Sequence, residues 1–184
     1  MSGTDLIDVI IADHREFEKI FTELESGTGG AQHRRDLLDH LIAELMRHAV
    51  AEEMFMYPAA RKALSDGDEI VEHETAEHNE AEEDMKRLEE LTPGDGRFNA
   101  MVGKLIADVR HHLEEEETKL LPRLRSACST EDLQSLGQKV LLAKKVAPTR
   151  PHPNAPDTPP ANLILAPGLG LIDRLRDALS GRNT

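Results

Sequence analysis

A pattern of residues that could bind a metal ion occurs twice in the sequence. The two copies span residues 48–58 and 112–122, and both read H-x-x-x-E-E-x-x-x-x-P in the same register. In an α-helix, residues four apart lie on one face, one turn from each other. Each copy therefore presents an imidazole nitrogen and a carboxylate to the same point in space. The two pairs are His48 with Glu52 and His112 with Glu116.

A histidine also interrupts the apolar stripe of each of the other two long predicted helices. His14 lies among apolar residues at steps of three and four in the first helix, and His78 does so in the third. Taken alone, either residue is more typical of an ordinary core or surface histidine. The repetition of the arrangement in every helix instead favours one common binding site.

The apolar stripe of the fourth helix distinguishes two equally spaced His–Glu pairs. His111 and Glu115 lie one residue off the stripe, so we expect His112 and Glu116 to face inward. A charged group in a core costs several kcal/mol unless it is paired or coordinated. Four imidazoles and two carboxylates in one core therefore predict a metal centre. The alternative is a buried His–Glu hydrogen-bond network without an ion.

The composition predicts an all-α protein. Aromatic residues make up only 3% of the 184 residues, with no Trp and one Tyr, whereas strands favour aromatic and β-branched residues. Short loops between long amphipathic helices predict an up-down-up-down four-helix bundle over residues 4–126. We expect an additional helix that packs on this bundle over residues 129–146. Residues 147–184 are predicted to form a proline-rich wrap and a short amphipathic helix.

Capping residues and prolines predict where several of the helices begin, bend or end. Thr4 is expected to cap the first helix, and the second is expected to run from Gln32 to Leu64 with a bend at Pro58. Residues 147–168 are rich in proline, so they are expected to form neither a helix nor a central strand. A short helix is expected only over residues 169–179, docked on the same chain, because such a helix is marginal alone. His152, within the wrap, is predicted to be exposed and not a ligand.

The charge and the single cysteine restrict the partners and the compartment. The formal net charge of −13 argues against nucleic acid and anionic membrane surfaces as partners. Cys128 cannot form an intramolecular disulfide, which fits a reducing cytoplasm. The sequence has no apolar stretch long enough to span a bilayer. We therefore expect a soluble cytoplasmic protein, and a homo-oligomer is compatible with these features.

The ligand types favour a dinuclear centre. Imidazole and carboxylate without thiolate suit iron, and also manganese or zinc. Two carboxylates on opposed helices can each bridge two ions. With four imidazoles and a bridging oxide or hydroxide, they leave about two positions open on two octahedral ions. Such a centre is suited to reaction with a small molecule.

At these residues the sequence resembles the hemerythrin-like family, whose signature is a histidine and H-x-x-x-E pattern in a four-helix bundle. The resemblance covers roughly residues 4–126, and both E-E-x-x-x-x-P extensions match. The proline-rich tail from Val146 is similar to that of standalone actinobacterial members. The resemblance implies a non-haem centre of two iron ions, bridged by the two motif glutamates. It implies these ligands: His14, His48, Glu52, His78, His112 and Glu116.

The third helix departs from the oxygen-carrying members of the family, which have two histidines four residues apart. The position four before His78 is Glu74, so a fifth histidine is missing there. Glu74 has the right helical position, and His73 has the right chemistry but lies off the stripe. Tyr57, the only tyrosine, follows Glu52 by about one turn, where the second copy has Leu121. Of these three residues, we slightly favour Tyr57 as the additional ligand. Its alternative role is core packing.

Two classes of function follow from this reading. The first is a stress-defence protein that reacts with hydrogen peroxide in a catalase-like manner, or with related oxygen and nitrogen species. The second is a protein that reversibly binds O₂ or NO, or senses iron or oxygen, without turnover. Four imidazoles and a third anionic ligand favour the ferric state, and hence the first class. Glu53 and Glu117 are candidate catalytic residues, for orienting histidines or transferring protons, unless they only form a solvated helix face.

Overall fold

The protein is all-α, which confirms the predicted fold class. The computed structural model describes residues 4–159 and 161–182, and no strand occurs among them. None of the helices in these ranges is long and apolar enough to cross a membrane. The elements are α1 (Leu6–Ser26), α2 (Ala31–Ala51), π1 (Glu52–Met56), α3 (Tyr57–Ala63), α4 (Gly67–Glu89), α5 (Phe98–Glu115), π2 (Glu116–Leu120), α6 (Leu121–Ala127), α7 (Thr130–Lys144) and α8 (Ala161–Ser180).

Helices α1, α2, α4 and α5 form a four-helix bundle with two apolar layers. Each of these helices packs against two of the others. One layer surrounds Phe17, Phe21 and Phe98, and the other surrounds Ile10 and Tyr57. The histidines and glutamates of the sequence pattern lie between the two layers. The apolar layers therefore hold a polar layer in the middle of the bundle, away from water.

The first helix begins one residue later than predicted. Asp5, and not Thr4, is its N-cap, and Asp5 and Asp8 each bond the backbone N–H of the other in a capping box. Gly27 ends the helix in the left-handed conformation, with φ 64°, which glycine adopts at little cost.

The long second and fourth helices each contain one π-helical turn, which the sequence reading missed. The turns π1 and π2 begin at Glu52 and Glu116, the two glutamates expected to bridge the metal ions. A proline follows each turn, at Pro58 and Pro122, and it cannot donate a backbone hydrogen bond. The helical segment predicted from Gln32 to Leu64 with a bend at Pro58 is present from Ala31 to Ala63, but a π-turn that was not predicted interrupts it before Pro58. Such π-turns are frequent at functional sites.

Helix α7 packs closely on the bundle. Its N-cap is Ser129, whose hydroxyl accepts a hydrogen bond from the Asp132 backbone, as the sequence indicates. A Cβ on Gly137 would lie 2.7 Å from the backbone carbon of Asp5, so only glycine permits this approach to the start of α1. Lys144 pairs with Asp13 at 2.5 Å, which ties the end of α7 to the middle of α1.

The C-terminal segment differs from the prediction. Helix α8 begins at Ala161 and continues through Pro167, so a helix does form within the proline-rich region. His152 is half-buried, with its Nε2 2.9 Å from Asp173, so the prediction that it is exposed is wrong. Pro160 and residues 183–184 of the predicted tail lie outside the described residues.

Ion pairs attach the C-terminal segment to the bundle. Arg150 and Arg182 both bind Glu89 of α4, at 3.1 and 2.8 Å, and Arg150 also binds Asp177 of α8 at 2.8 Å. Several apolar side chains of α8 are exposed, including Leu175 at 59%. The segment therefore lies on the same chain, as predicted, but through a partly buried ionic cluster.

Candidate metal centre

The structure brings the six expected ligands together in the middle of the bundle. Each is at most 8% exposed, and each comes from one of the four bundle helices or from a π-turn that continues one. His111 is exposed and Glu115 half-buried, so the second His–Glu pair faces away from the centre. The six residues are His14, His48, Glu52, His78, His112 and Glu116.

These residues form two adjoining groups that share Glu52 and Glu116. In the first group, His48 Nε2 lies 3.1 Å from Glu52 Oε1, and His14 Nε2 lies 3.4 Å from Glu116 Oε2. The other oxygen of each carboxylate faces the second group, which contains His78 and His112. The corresponding distances to these oxygens are 3.4 Å from His78 Nε2 to Glu52 Oε2 and 3.8 Å from His112 Nε2 to Glu116 Oε1.

Several buried ligand atoms have no hydrogen-bond partner among the described residues. They include both oxygens of Glu52, both oxygens of Glu116, and the Nε2 atoms of His14 and His48. A buried polar atom without a partner costs roughly 1–3 kcal/mol, and more when it is charged. The Nε2 atoms of His78 and His112 lie only 3.1 Å apart, about the separation of adjacent ligands on one ion. The donor set therefore fits two cations, one in each group.

A carboxylate lies beside the other ring nitrogen of every histidine in the centre. Glu117 contacts His14 Nδ1 at 2.9 Å and Glu53 contacts His78 Nδ1 at 3.1 Å. A carboxylate that accepts the Nδ1 proton fixes the ring and leaves Nε2 free to bind a metal. The structure thus places Glu53 and Glu117 within hydrogen-bonding distance of two of the histidines.

The sequence reading missed the two partners of the other histidines. Asp13 lies 3.2 Å from His48 Nδ1, and Glu77 lies 2.9 Å from His112 Nδ1. Each directly precedes a ligand histidine of a neighbouring helix, Asp13 before His14 and Glu77 before His78. The sequence did contain a signal for these two residues, namely an acidic residue directly before a ligand histidine. Such a residue can reach the ligand histidine of the neighbouring helix.

Comparison with known proteins supports this assignment of the fold and of a cation site. The family model described as the hemerythrin HHE cation binding domain matches residues 5–124. The chain belongs to the hemerythrin family. It is 28% identical over 177 residues to an uncharacterised hemerythrin-like protein of Schizosaccharomyces pombe, covering 96% of this chain and 87% of that protein. The family resemblance drawn from the sequence is thereby confirmed.

Two further proteins are similar to this hemerythrin-family chain. A DNA nickase of Nostoc sp. is 30% identical over 141 residues, which are 74% of this chain but only 38% of the nickase. The crystal structure of an HHE cation binding domain protein from Mycobacterium kansasii, a homologue of Rv2633c, superposes with a TM-score of 0.67. That alignment covers 77% of this chain and 85% of the other at 19% identity, and it shows the shared fold.

The hemerythrin-like bundle contains an internal repeat of 64 residues. The shift relates Asp13 and His14 to Glu77 and His78, and it relates the first His–Glu–Glu motif to the second. The π-turns obey the same shift, because π1 begins at Glu52 and π2 at Glu116. The two halves of the centre are therefore built alike, from one helix pair each.

The repeat breaks at the residues proposed to replace the missing fifth histidine. Tyr57 corresponds to Leu121, and Glu74 corresponds to Ile10. Both polar members of these pairs are buried beside His78 and His112, and their counterparts belong to the apolar core. The two halves therefore differ in chemistry, since Tyr57 and Glu74 add polar groups beside His78 and His112 where the first half has apolar residues.

Tyr57 and Glu74 lie at the centre, whereas His73 does not. The Tyr57 hydroxyl lies 3.0 Å from His78 Nε2, and a Glu74 oxygen lies 3.0 Å from His112 Nδ1. His73 is exposed and contacts Glu115 on the surface at 3.0 Å. The local distortion that would bring His73 inward is absent from α4 in this structure.

Burial and the clustered carboxylates control protonation in the absence of an ion. Burial lowers the pKa of His48 to about 4. Burial, with the charge of Glu116, holds the pKa of Glu52 well above its usual range. Burial opposes the charged form of His112, but Glu116, Glu74 and Glu77 outweigh it and raise the pKa of His112 to about 10. A cation bound here would displace the protons of Glu52 and His112, so acid weakens its binding.

Tyr57 is neutral in the same environment. Burial raises the pKa of the Tyr57 hydroxyl well above its ordinary value, and the charges of Glu116, Glu52 and Glu74 act in the same direction. A nearby cation reverses this balance, because it stabilises the phenolate. Tyr57 can therefore act as an anionic ligand only together with the metal.

Proposed function

We propose that the protein holds two iron ions and reacts with hydrogen peroxide, or with related oxygen and nitrogen species, in stress defence. The observation that carries this proposal is the pair of buried carboxylates, Glu52 and Glu116, whose oxygens divide between two groups of histidines. Two bridged ions would explain why all four oxygens lack a hydrogen-bond partner within the described part of the chain.

The residues of the centre would hold the ions in two similar environments. His14 and His48 would bind one ion, and His78 and His112 the other, with Glu52 and Glu116 between them. The pair of ions would supply two electrons when one peroxide is reduced to water, and it would accept two electrons when a second peroxide is oxidised to oxygen. The protein buries all six ligands and holds every imidazole by a carboxylate at its Nδ1 nitrogen.

Glu53 and Glu117 act on the centre through the histidines they hold. Each accepts a hydrogen bond from an Nδ1 nitrogen, and Glu117 is itself fixed by Arg15, at 2.6 Å. A carboxylate in this position makes the imidazole a stronger ligand and sets its tautomer. We therefore assign both residues to the orientation of histidines, one of the two roles expected from the sequence. Orienting a histidine does not require Glu53 or Glu117 to transfer a proton.

The additional polar groups favour peroxide chemistry over reversible oxygen binding. Tyr57 and Glu74 both lie at the half of the centre that contains His78. An anionic ligand from either residue stabilises ferric iron relative to ferrous iron, and reversible oxygen binding begins from the ferrous form. Among the described residues no fifth histidine reaches the centre, because His73 pairs with Glu115 on the surface.

The iron-loaded, oxidised protein is expected to decompose hydrogen peroxide to oxygen and water. An oxygen electrode measures the oxygen released, with the same protein after iron removal as the control. After reduction, the protein should be oxidised by air without binding oxygen reversibly. Reversible binding of O₂ or NO without any peroxide turnover would contradict the proposal and support the alternative, an oxygen- or NO-binding or sensing protein.

A further inference from the structure

A cavity of about 130 Å³ lies between α2, α4 and α5 and reaches the candidate centre. Three of the four ligand histidines, His48, His78 and His112, form part of its wall. Exposed residues stand at its outer end, among them Glu80 and His111. The remaining wall contains the carboxylates of Glu77 and Asp108, but most of it is apolar and consists of Leu45, Ala49, Ala81, Met85, Val109 and Leu113.

The internal repeat explains why this space exists. Position 81 corresponds to position 17, which is Phe17 in the first half. Phe17 is 1% exposed, and its ring meets His48 edge-on with the centroids 5.1 Å apart. In the second half, Ala81 lies in the equivalent place and lines the cavity together with His112, and its methyl group is too small to fill the space that a phenyl ring would occupy. The cavity is thus a position that an aromatic ring occupies in the other half.

A second cavity approaches His78 from the other side, but the C-terminal segment covers it. It measures about 40 Å³, and Glu53, Glu82 and His152 contribute to its wall. The His152 backbone N–H bonds Glu82, and the segment is held by the ionic cluster around Arg150. The larger, mainly apolar cavity is therefore the more open of these two approaches.

We propose that the cavity bounded by Ala81 admits small uncharged molecules to the centre, and that Ala81 sets the size of the molecule admitted. Apolar walls disfavour ions, because an ion loses its hydration there without gaining hydrogen bonds. Hydrogen peroxide, oxygen and nitric oxide share the required small size and neutrality. The choice among these molecules rests on the proposed function, whereas the existence of the route does not.

Xenon tests the cavity without any reaction at the metal. Xenon binds in apolar cavities of proteins, so crystals of the wild-type chain under xenon pressure should show the atom beside Ala81. Ala81→Phe should abolish that site, because the added ring repeats the position of Phe17. The matched control is Ala155→Leu, which fills the smaller cavity under the C-terminal segment and should leave xenon in place. Absence of xenon beside Ala81 in the wild-type protein would overturn the proposal.

The rate of nitric oxide binding to the reduced, iron-loaded protein tests the route. Ala81→Leu and Ala81→Phe should slow both association and dissociation, the latter variant by about tenfold or more, with little change in equilibrium affinity. Iron content should remain that of the wild type, since Ala81 is not a ligand. Unchanged rates in both variants, or slowing by Ala155→Leu instead, would contradict the route. If peroxide is not decomposed but these rates respond as stated, the proposed function fails and the route stands.

Discussion

His48→Ala and His112→Ala should each lose most of the bound metal and unfold at a markedly lower temperature than the wild-type chain. Each change removes one ligand, so the stability that metal binding gives the fold is lost, and His112→Ala also leaves the buried Glu116 without its charge partner. Breaking a buried charge pair costs about 3–5 kcal/mol. For a chain of this length that corresponds to a fall in melting temperature of about 10 °C. Metal analysis and thermal unfolding measure the two effects.

His111→Ala is the matched control for His112→Ala. The two histidines are adjacent in α5, but His111 is exposed and His112 is 6% exposed. The control should keep its metal and change the melting temperature by no more than about 2 °C, as is usual for a surface substitution. Equal metal loss from the two variants would show that the helix register, and with it the assignment of the centre, is wrong.

Tyr57→Phe should remove a broad visible absorption band from the oxidised, iron-loaded protein. The band is expected from charge transfer between phenolate and ferric iron, since the hydroxyl lies 3.0 Å from His78 Nε2. The phenylalanine ring keeps the volume and the apolar contacts of a side chain that is 2% exposed. Iron should therefore be largely retained by the other six ligands, while the reduction potential rises because an anionic ligand is lost.

Glu74→Gln is the comparison that separates the two candidates for the additional ligand. This substitution removes the charge of Glu74 and changes its shape little. An oxygen of Glu74 lies 3.0 Å from His112 Nδ1. If Tyr57 is the ligand, this variant should keep the band that Tyr57→Phe loses. A band that survives in Tyr57→Phe would assign Tyr57 to core packing and make Glu74 the leading candidate.

The sequence predicted the bundle because its signals are local and repeated. His14, His48, His78 and His112 each interrupt a helical apolar stripe, so their inward direction follows from periodicity alone. The choice of His112 over His111 used the same signal. The family then followed from the matched motifs, and the comparison with known proteins confirms it.

The features that the sequence reading missed depend on contacts between elements. Each π-turn widens the helix between an inward-facing glutamate and the proline that follows it. Helical periodicity, which assumes a regular α-helix, does not predict such a turn. Asp13 and Glu77 act on histidines of neighbouring helices, so their role requires the packing of the bundle. The role of Ala81 becomes visible only when it is compared with Phe17, the residue 64 positions earlier, because both lie outside the His–Glu–Glu motif.

The C-terminal helix shows the limit of treating proline as a breaker. Helix α8 continues through Pro167, although the sequence reading placed no helix before residue 169. A proline inside a helix removes one hydrogen bond, and contacts made elsewhere can offset that loss. Thr149 and Arg150 supply such contacts, because their backbone N–H groups both bond Asp173 of α8.

Elemental analysis of the purified protein tests the central claim most directly, because the claim is that Glu52 and Glu116 together bridge two metal ions. We expect two iron ions per chain, and we expect both ions to be lost together when either glutamate is replaced by alanine. A single ion per chain, zinc in place of iron, or full iron retention after the loss of Glu52 would contradict it.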